Sequence, residues 1–283
     1  RIRGGVLDLP QQDRDDIAAY FAEPDFEQLP VQSDTFEKAI AGDKGFARWA
    51  AQNVHAHKQD GYGIVTIAIK GTGEAPGDAT DAQMEVMADL GERYSFDEMR
   101  VSHEQNVVLP HVKLDDLPAV YAALLEAELA ASNAGLITDM IACPGLDYCA
   151  LATARSIPVA QDISKRFADL EKQKEIGELK LKISGCINAC GHHHAGNIGI
   201  LGLDRRGVEN YQITLGGSGD ETAAVGEIIG PGFGAEQIGD AVETLVATYL
   251  GLRLTGDETF LQAYRRVGAA PFKAALYPAK EAA

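Results

Sequence analysis

The four cysteines of this chain fall into two close groups. Five residues separate Cys143 from Cys149, and three separate Cys186 from Cys190. Each group follows an apolar segment that is predicted to be a strand, and each lies in a loop that contains glycine. Loops that leave neighbouring strands at the same end of a sheet meet there. The spacing therefore predicts that the four thiols lie together around one site.

The loop composition favours an iron–sulfur cluster, which needs soft thiolates that are close together and shielded from water. Pro144, Gly145, Gly185 and Gly191 suit such a site, because the backbone there can approach inorganic sulfur and donate N–H groups to it. Structural zinc is a competing interpretation, although its paired ligands are usually separated by about two to four residues. A redox disulfide and four ordinary buried cysteines are the remaining alternatives.

Length and composition limit what else this chain could do. Its 283 residues suffice for about two domains, and its 46% apolar and 24% charged residues are ordinary for packed domains. No apolar run approaches the ~18 residues that a membrane span needs. The net charge of −17 argues against nucleic-acid binding, which requires clustered Lys and Arg. Four cysteines are also too few for a disulfide scaffold.

The beginning of the chain is predicted to be irregular. It starts at Arg1 without a signal peptide, and we expect further sequence to precede it. Residues 1–55 are predicted to form an extended arm or linker, since Pro24 and Pro30 interrupt its short helical pieces. Those helical pieces cover residues 13–22 and 34–41.

Residues 56–133 follow the order strand, helix, strand, strand, helix. Thr80 and Gln83 form a capping box at the start of the first helix, and Asp115 is predicted to cap the second. The strands are predicted at residues 63–70, 99–102 and 106–110. This order predicts a ferredoxin-like half-domain.

Residues 134–283 are predicted to form an α/β domain, so that the whole chain belongs to the α+β class. The turn sequence at residues 204–207 indicates a hairpin. The strands are predicted at 136–142, 179–184, 198–203 and 211–215, and the helices at 159–170 and 235–250.

The cysteine segments resemble a known enzyme family. Residues 181–194, Leu-Lys-Ile-Ser-Gly-Cys-Ile-Asn-Ala-Cys-Gly-His-His-His, resemble the signature of the sulfite and nitrite reductases that carry siroheme and a 4Fe–4S cluster. Residues 141–149 resemble the upstream partner of that signature, and residues 100–110 resemble the strand–turn–strand segment of the family's ferredoxin-like half-domain. Residues 211–217 also resemble the sequence pattern of this family. The resemblance covers nearly the whole chain and is nearest to the C-terminal half of a bacterial assimilatory sulfite reductase hemoprotein.

The resemblance implies a function and a set of ligands. Cys143, Cys149, Cys186 and Cys190 would hold the 4Fe–4S cluster, and Cys190 would also bridge to the siroheme iron. The second domain would then be a siroheme and iron–sulfur domain that takes part in the six-electron reduction of sulfite to sulfide. A nitrite reductase of the same family is one alternative, and an iron–sulfur electron carrier without siroheme is another. The resemblance also implies an enzyme built from two tandem repeats, of which this chain would be the second. The catalytic residues stay unknown, because the family's anion-binding Arg and Lys lie mainly in the first repeat.

Four residues of the strand–turn–strand segment are candidates for contact with the carboxylate-rich siroheme, namely Arg100, His103, Gln105 and Asn106. For Arg100, a surface ion pair is an equally good interpretation. Asn188 lies between two cysteines and is expected to orient their loop.

Two further groups of polar residues flank the second cysteine pair. Lys180 and Lys182 precede it, and we expect both to lie on the solvated surface rather than to bind substrate. Residues 192–194 are three consecutive histidines. One of them could bond a cluster sulfur or a siroheme carboxylate, but packing or surface exposure is the favoured interpretation.

The resemblance also implies partners. We expect a small anionic substrate, sulfite or nitrite, and the N-terminal repeat of the same enzyme. The sequence contains no flavin or NADPH fingerprint, so we expect electrons to come from a flavoprotein subunit or a ferredoxin. A cytoplasmic location is expected, with neither nucleic acid nor membrane as a partner.

Overall fold

The computed structural model describes residues 9–278; residues 1–8 of the predicted arm, and the last five residues, lie outside this range. The described chain forms two units, each with its own β-sheet and its own buried apolar core. Both units combine helices with a sheet, which confirms the predicted α+β class. No helix between residues 9 and 278 is long and apolar enough to cross a membrane.

The first unit is a four-stranded antiparallel sheet in the order β1-β2-β4-β3, covered by helices. The capping box at Thr80 and Gln83 is confirmed at the start of α4. The strands are β1 (Val54–Ala56), β2 (Tyr62–Ile67), β3 (Arg100–Val101) and β4 (Val107–Lys113). The helices are α1 (Gln11–Tyr20), which precedes the unit, and α2 (Asp34–Gly42), α3 (Lys44–Asn53), α4 (Asp81–Tyr94) and α5 (Leu117–Glu126).

The predicted arm is shorter than expected, because helix α3 belongs to the core of the first unit. Phe46 and Trp49 of this helix are 1% and 0% exposed and pack against the sheet. Their helical spacing forms a buried face, and the carboxylate of Asp43 caps the helix by accepting the N–H groups of Gly45 and Phe46. The prediction of an arm over residues 34–55 is therefore wrong.

The prediction that Asp115 caps α5 is also wrong. A single 3₁₀ turn over Leu114–Asp116 precedes α5, and no side chain caps that helix. The carboxylate of Asp115 instead accepts a hydrogen bond from the hydroxyl of Ser33, which itself caps α2. Asp115 thus holds the end of the arm against the first unit.

The second unit is a five-stranded sheet in the order β5-β6-β7-β8-β9. Its first three strands are parallel, and β7 and β8 form the predicted hairpin. Arg206 and Gly207 adopt the positive φ angles that such a tight turn requires. The strands are β5 (Ile141–Ala142), β6 (Leu181–Ser184), β7 (Ile198–Asp204), β8 (Glu209–Leu215) and β9 (Glu227–Ile228).

Helices cover the second sheet. They are α6 (Ile157–Arg166), α7 (Leu170–Ile176), α8 (Ile238–Leu252), α9 (Phe260–Val267) and α10 (Ala270–Leu276). The helix predicted over 159–170 ends earlier, at Arg166, and Asp169 caps a second helix by accepting the N–H of Glu171. The strand predicted over 136–142 is reduced to its last two residues.

Candidate functional site

The two cysteine groups follow two adjacent parallel strands and lie at one edge of the sheet. Ala142 at the end of β5 lies opposite Ile183 near the end of β6. Cys143 directly follows β5, and Cys186 follows β6 after one glycine. The carboxyl ends of parallel strands meet at the same edge of a sheet. The prediction that both groups begin at one end of the sheet is confirmed.

The two cysteine loops are joined by hydrogen bonds at Gly185. Its N–H donates to Sγ of Cys143 over 3.0 Å. Its carbonyl oxygen accepts the N–H groups of Thr153 and Ala154, at 2.9 and 3.0 Å. A Cβ at position 185 would lie 2.6 Å from the carbonyl oxygen of Ala154, so only glycine fits here without displacing the first loop.

The backbone of both loops turns through left-handed conformations. Gly145 has a φ of +58°, and the non-glycine residues Ala189 and His192 have φ values of +58° and +54°. Such residues are uncommon and concentrate at ligand sites, where surrounding contacts hold them in place. A Cβ at Gly191 would lie 1.8 Å from the carbonyl oxygen of Ile183, so the second loop also passes very close to its own strand.

Ser156 supports the first loop, and sequence reasoning missed it. Its hydroxyl donates to the carbonyl oxygen of Cys143 and lies 3.5 Å from that residue's sulfur. Thr153 likewise donates its hydroxyl to the carbonyl oxygens of Gly185 and Gly202, at 3.1 and 3.2 Å. Both residues lie within seven positions of Cys149, but a hydroxyl so common in loops carries no sequence signal of this role.

The four thiols differ in exposure. Cys143 and Cys186 are buried, Cys149 is half-buried, and Cys190 is exposed. Between residues 9 and 278, no three His, Cys, Asp or Glu side chains are arranged to hold a single metal ion. In a 4Fe–4S cluster each thiolate binds its own iron atom, so the ligands need not converge on one point. Four thiols, one of which accepts a backbone N–H, fit that cluster.

Exposed apolar side chains lie on both cysteine loops. Leu146, Tyr148 and Leu151 of the first loop are 43%, 80% and 73% exposed, and Ile187 of the second is 78% exposed. Asn188 is exposed beside them. Large apolar side chains exposed beside candidate ligands are candidates for contact with a ligand or another protein.

The three consecutive histidines, residues 192–194, differ in burial. His193 is 1% exposed, whereas His192 and His194 lie at the surface. Burial, with a smaller contribution from His194, lowers the pKa of His193 to about 4. Its Nδ1 atom has no hydrogen-bond partner within the described chain. His193 is therefore a neutral, packed histidine.

The expectation that Lys182 lies on the solvated surface is wrong. It stands in β6, between β5 and β7, and is only 5% exposed. Burial lowers the pKa of its ammonium group. Lys180, two residues earlier, is half-buried and lies 3.6 Å from Glu104 and 3.8 Å from Glu178.

The candidates for siroheme contact in the first unit occupy different environments. Arg100 is largely exposed and forms an ion pair of 2.6 Å with Glu98, and His103 is also exposed. Asn106 is 1% exposed, and its amide contacts Lys70 and Asp139 at 3.2 and 2.9 Å. This arrangement favours a structural role for Asn106. Contact between Arg100 and siroheme stays a prediction.

Known protein families account for most of the chain. Residues 55–127 match the nitrite/sulfite reductase ferredoxin-like half domain, and residues 134–275 match the nitrite and sulphite reductase 4Fe-4S domain. A ferredoxin–nitrite reductase of Synechococcus elongatus is 29% identical over 206 residues, which are 70% of this chain and 38% of that protein. A ferredoxin sulfite reductase of Mycolicibacterium paratuberculosis is 26% identical over 216 residues, 71% of this chain and 39% of that protein.

Solved structures share the fold. The Mycobacterium tuberculosis NirA protein superposes with a TM-score of 0.64 at 23% identity, over 78% of this chain and 41% of that one. Dissimilatory sulfite reductase I gives a TM-score of 0.59 at 10% identity, over 76% of this chain and 69% of that one. The chain spans less than two-fifths of the Synechococcus relative and about two-fifths of the Mycolicibacterium one. Because the 4Fe-4S domain alone accounts for about half of the described sequence, the chain belongs to the nitrite and sulfite reductase family.

Proposed function

We propose that this chain is the cluster-binding C-terminal repeat of a siroheme-dependent reductase that converts sulfite to sulfide with six electrons. The observation that supports this most directly is the pair of cysteine loops at the carboxyl ends of β5 and β6, joined by the bond from Gly185 N–H to Cys143 Sγ. Hydrogen bonds to cluster sulfurs and their ligands help to set the cluster's reduction potential.

Each cysteine has a distinct place in this proposal. Cys143 and Cys186, both buried, would be the inner ligands of the cluster, and the half-buried Cys149 a third. Cys190 is exposed, so its thiolate is open to a second cofactor and could be shared with the siroheme iron. The bound cofactors would supply electron transfer and the site of anion reduction. The chain's own part is to hold both cofactors in contact and to exclude water from the cluster.

A nitrite reductase is the second candidate, and the relatives favour it as strongly. The Synechococcus protein is named a ferredoxin–nitrite reductase, and the Mycolicibacterium protein a ferredoxin sulfite reductase. Both names support a ferredoxin as the electron donor. The exposed apolar side chains of Leu146, Tyr148, Leu151 and Ile187 support an N-terminal repeat as the covering partner. A cytoplasmic location stays a prediction.

The absorption spectrum tests the proposal. The 283-residue chain is reconstituted anaerobically with iron and sulfide, with and without siroheme, and separated from unbound cofactor. We expect broad cluster absorption in the first sample, joined by a Soret band and a long-wavelength band in the second. A chain that binds a cluster but never siroheme would instead be an iron–sulfur electron carrier. A chain that binds neither would overturn the proposal.

A further inference from the structure

Gln105 of the first unit holds an unusual backbone conformation in the turn between β3 and β4. Its φ is +57°, in the left-handed region that a long side chain seldom adopts. Strain of this kind persists only where the surroundings hold it, and it is concentrated at functional sites. The contacts of the side chain show what this turn positions.

The amide of Gln105 forms two hydrogen bonds with the backbone of Ala142, in the second unit. Its Nε2 donates to the carbonyl oxygen of Ala142 over 2.8 Å, and its Oε1 accepts the N–H of Ala142 over 3.0 Å. Ala142 ends β5, which is the edge strand of its sheet. The glutamine amide therefore takes the place of a neighbouring strand at this residue.

The other side of this short strand is bound to β6. The N–H of Cys143 donates to the carbonyl oxygen of Ile183 over 3.2 Å. The backbone that carries Cys143 is thus held on one side by β6 and on the other by Gln105. With only two residues, β5 has few other backbone bonds that could fix it.

The turn that carries Gln105 is itself rigid. The hydroxyl of Ser102 accepts the N–H groups of Glu104 and Asn106, each at 3.2 Å. The ammonium group of Lys70 donates to the carbonyl oxygen of Glu104 over 2.7 Å. Beneath the side chain, a Cβ at Gly77 would lie 3.0 Å from the Cβ of Gln105. These contacts hold the turn in place, and with it the side-chain amide that bonds β5.

We propose that Gln105 is a positioning residue for the iron–sulfur cluster. By holding Ala142 from outside the sheet, it keeps Sγ of Cys143 at 3.0 Å from the N–H of Gly185. That N–H stabilises the thiolate, so the position of β5 influences both retention of the cluster and its reduction potential. This inference rests on the proposed cluster function and adds a contribution from the first unit.

The test compares Gln105→Ala and Gln105→Glu with a matched glutamine. Gln83 also bonds backbone atoms through both ends of its amide, to Ala127 and Thr80 at 3.0 Å each. It does so on α4, so Gln83→Ala removes the same kind of bonds away from β5. The Glu variant keeps the size of the side chain but places a carboxylate oxygen against the carbonyl oxygen of Ala142.

Three quantities are measured on each reconstituted 283-residue chain. They are the rate of iron release to a chelator, the midpoint potential followed by electron paramagnetic resonance, and amide exchange of Ala142 in the cluster-free protein. For Gln105→Ala we expect amide exchange at Ala142 to be about tenfold faster, the equivalent of one lost hydrogen bond. We also expect faster iron release and a shifted midpoint potential.

Gln105→Glu should shift the midpoint potential of the cluster and release iron faster even if Gln105→Ala fails to fold. The control, Gln83→Ala, should match the wild type in all three measurements. A wild type that holds a cluster, with Gln105 variants unchanged in potential and iron release, would overturn this inference alone. The same follows if Gln83→Ala changes as much as Gln105→Ala. A wild type that holds no cluster overturns the proposed function, and this inference with it.

Discussion

The ammonium group of Lys70 lies 3.0 Å from the carboxylate of Asp139, and the two side chains are 1% and 3% exposed. Lys70 follows β2 of the first unit, whereas Asp139 precedes β5 of the second. The same carboxylate accepts from the amide of Asn106 over 2.9 Å and from the N–H of Gly135 over 2.8 Å. This buried ion pair therefore connects the two units just ahead of the first cysteine loop.

Breaking this pair should strongly destabilise the chain. Lys70→Met or Asp139→Leu leaves one buried charge without its partner, and we expect each to lower the free energy of unfolding by about 3–5 kcal/mol. The double variant removes both charges and should cost clearly less than the sum of the two. Urea unfolding of the wild type and the three variants measures this coupling. Additive losses would show that the two charges act independently.

Replacing a buried cysteine should abolish the cluster. We expect Cys143→Ser and Cys186→Ser each to lose it, because serine is a hard oxygen donor that matches iron–sulfur chemistry poorly. Iron and labile sulfide are measured after anaerobic purification. Ser164→Ala, which changes a buried hydroxyl on α6, is the control and should keep its iron. Full iron and sulfide in either serine variant would refute the ligand assignment.

Cys190 should affect both cofactors, whereas Cys149 should chiefly affect the cluster. If Cys190 is shared, Cys190→Ala rebuilt with an exogenous thiol as the fourth ligand should lose the sulfur-bridged signature of the siroheme iron. Absorption and electron paramagnetic resonance spectra of the two reconstituted variants measure this difference. An unchanged heme spectrum in Cys190→Ala with an intact cluster would rule out the bridge. Another of the four cysteines would then be the shared ligand, with Cys186, at the other end of the same loop, as the first candidate.

This chain alone should reduce sulfite only very slowly. Catalysis on an anion needs several positive donors that converge on a site from which water is excluded. The family resemblance places most of those donors on the other repeat. Assays of the reconstituted chain with a small-molecule reductant measure its turnover of sulfite and nitrite. Turnover like that of a complete reductase would mean that the pocket is already complete, for example by dimerisation.

The cluster-free chain should lose stability as the pH falls from about 6.5 towards 4. Burial lowers the pKa of His193 to about 4, from an ordinary value of 6.5, and also lowers the pKa of His111. In this interval the unfolded chain binds protons that the folded chain does not, so the stabilisation is complete above pH 6.5 and is lost below it.

For His193 the loss should amount to about 3 kcal/mol. Urea unfolding at a series of pH values measures it. His193→Gln should reduce the slope between pH 6.5 and 4, whereas His55→Gln, an exposed residue of β1, should not. A slope that is unchanged by His193→Gln would show that other groups are responsible.

Local patterns predicted those parts of the fold that local chemistry determines. The capping box of Thr80 and Gln83 and the hairpin at residues 204–207 depend on a few neighbouring residues, and both are present. The placement of the cysteine groups was predictable for a related reason. Each follows its own apolar strand, and parallel strands bring their carboxyl ends together.

Long-range packing determined the features that the sequence did not reveal. Trp49 reads as part of an irregular arm until a sheet is present to bury it. Lys182 reads as a surface residue from its charge, but all four residues of β6 are buried, so both faces of this strand are covered. The bonds between Gln105 and Ala142 join residues of different units, and no local pattern indicates them.

Helices α6 and α7 separate the two cysteine loops along the chain, although the loops lie together at the edge of the sheet. A cluster held by both pairs would therefore act as a cross-link that closes the chain between Cys149 and Cys186 into a ring. By analogy with a disulfide, restricting the unfolded chain over such a length contributes about 4 kcal/mol. Loss of iron would remove this restriction from the unfolded chain, whereas α6 and α7 would keep their packing in the core of the second unit.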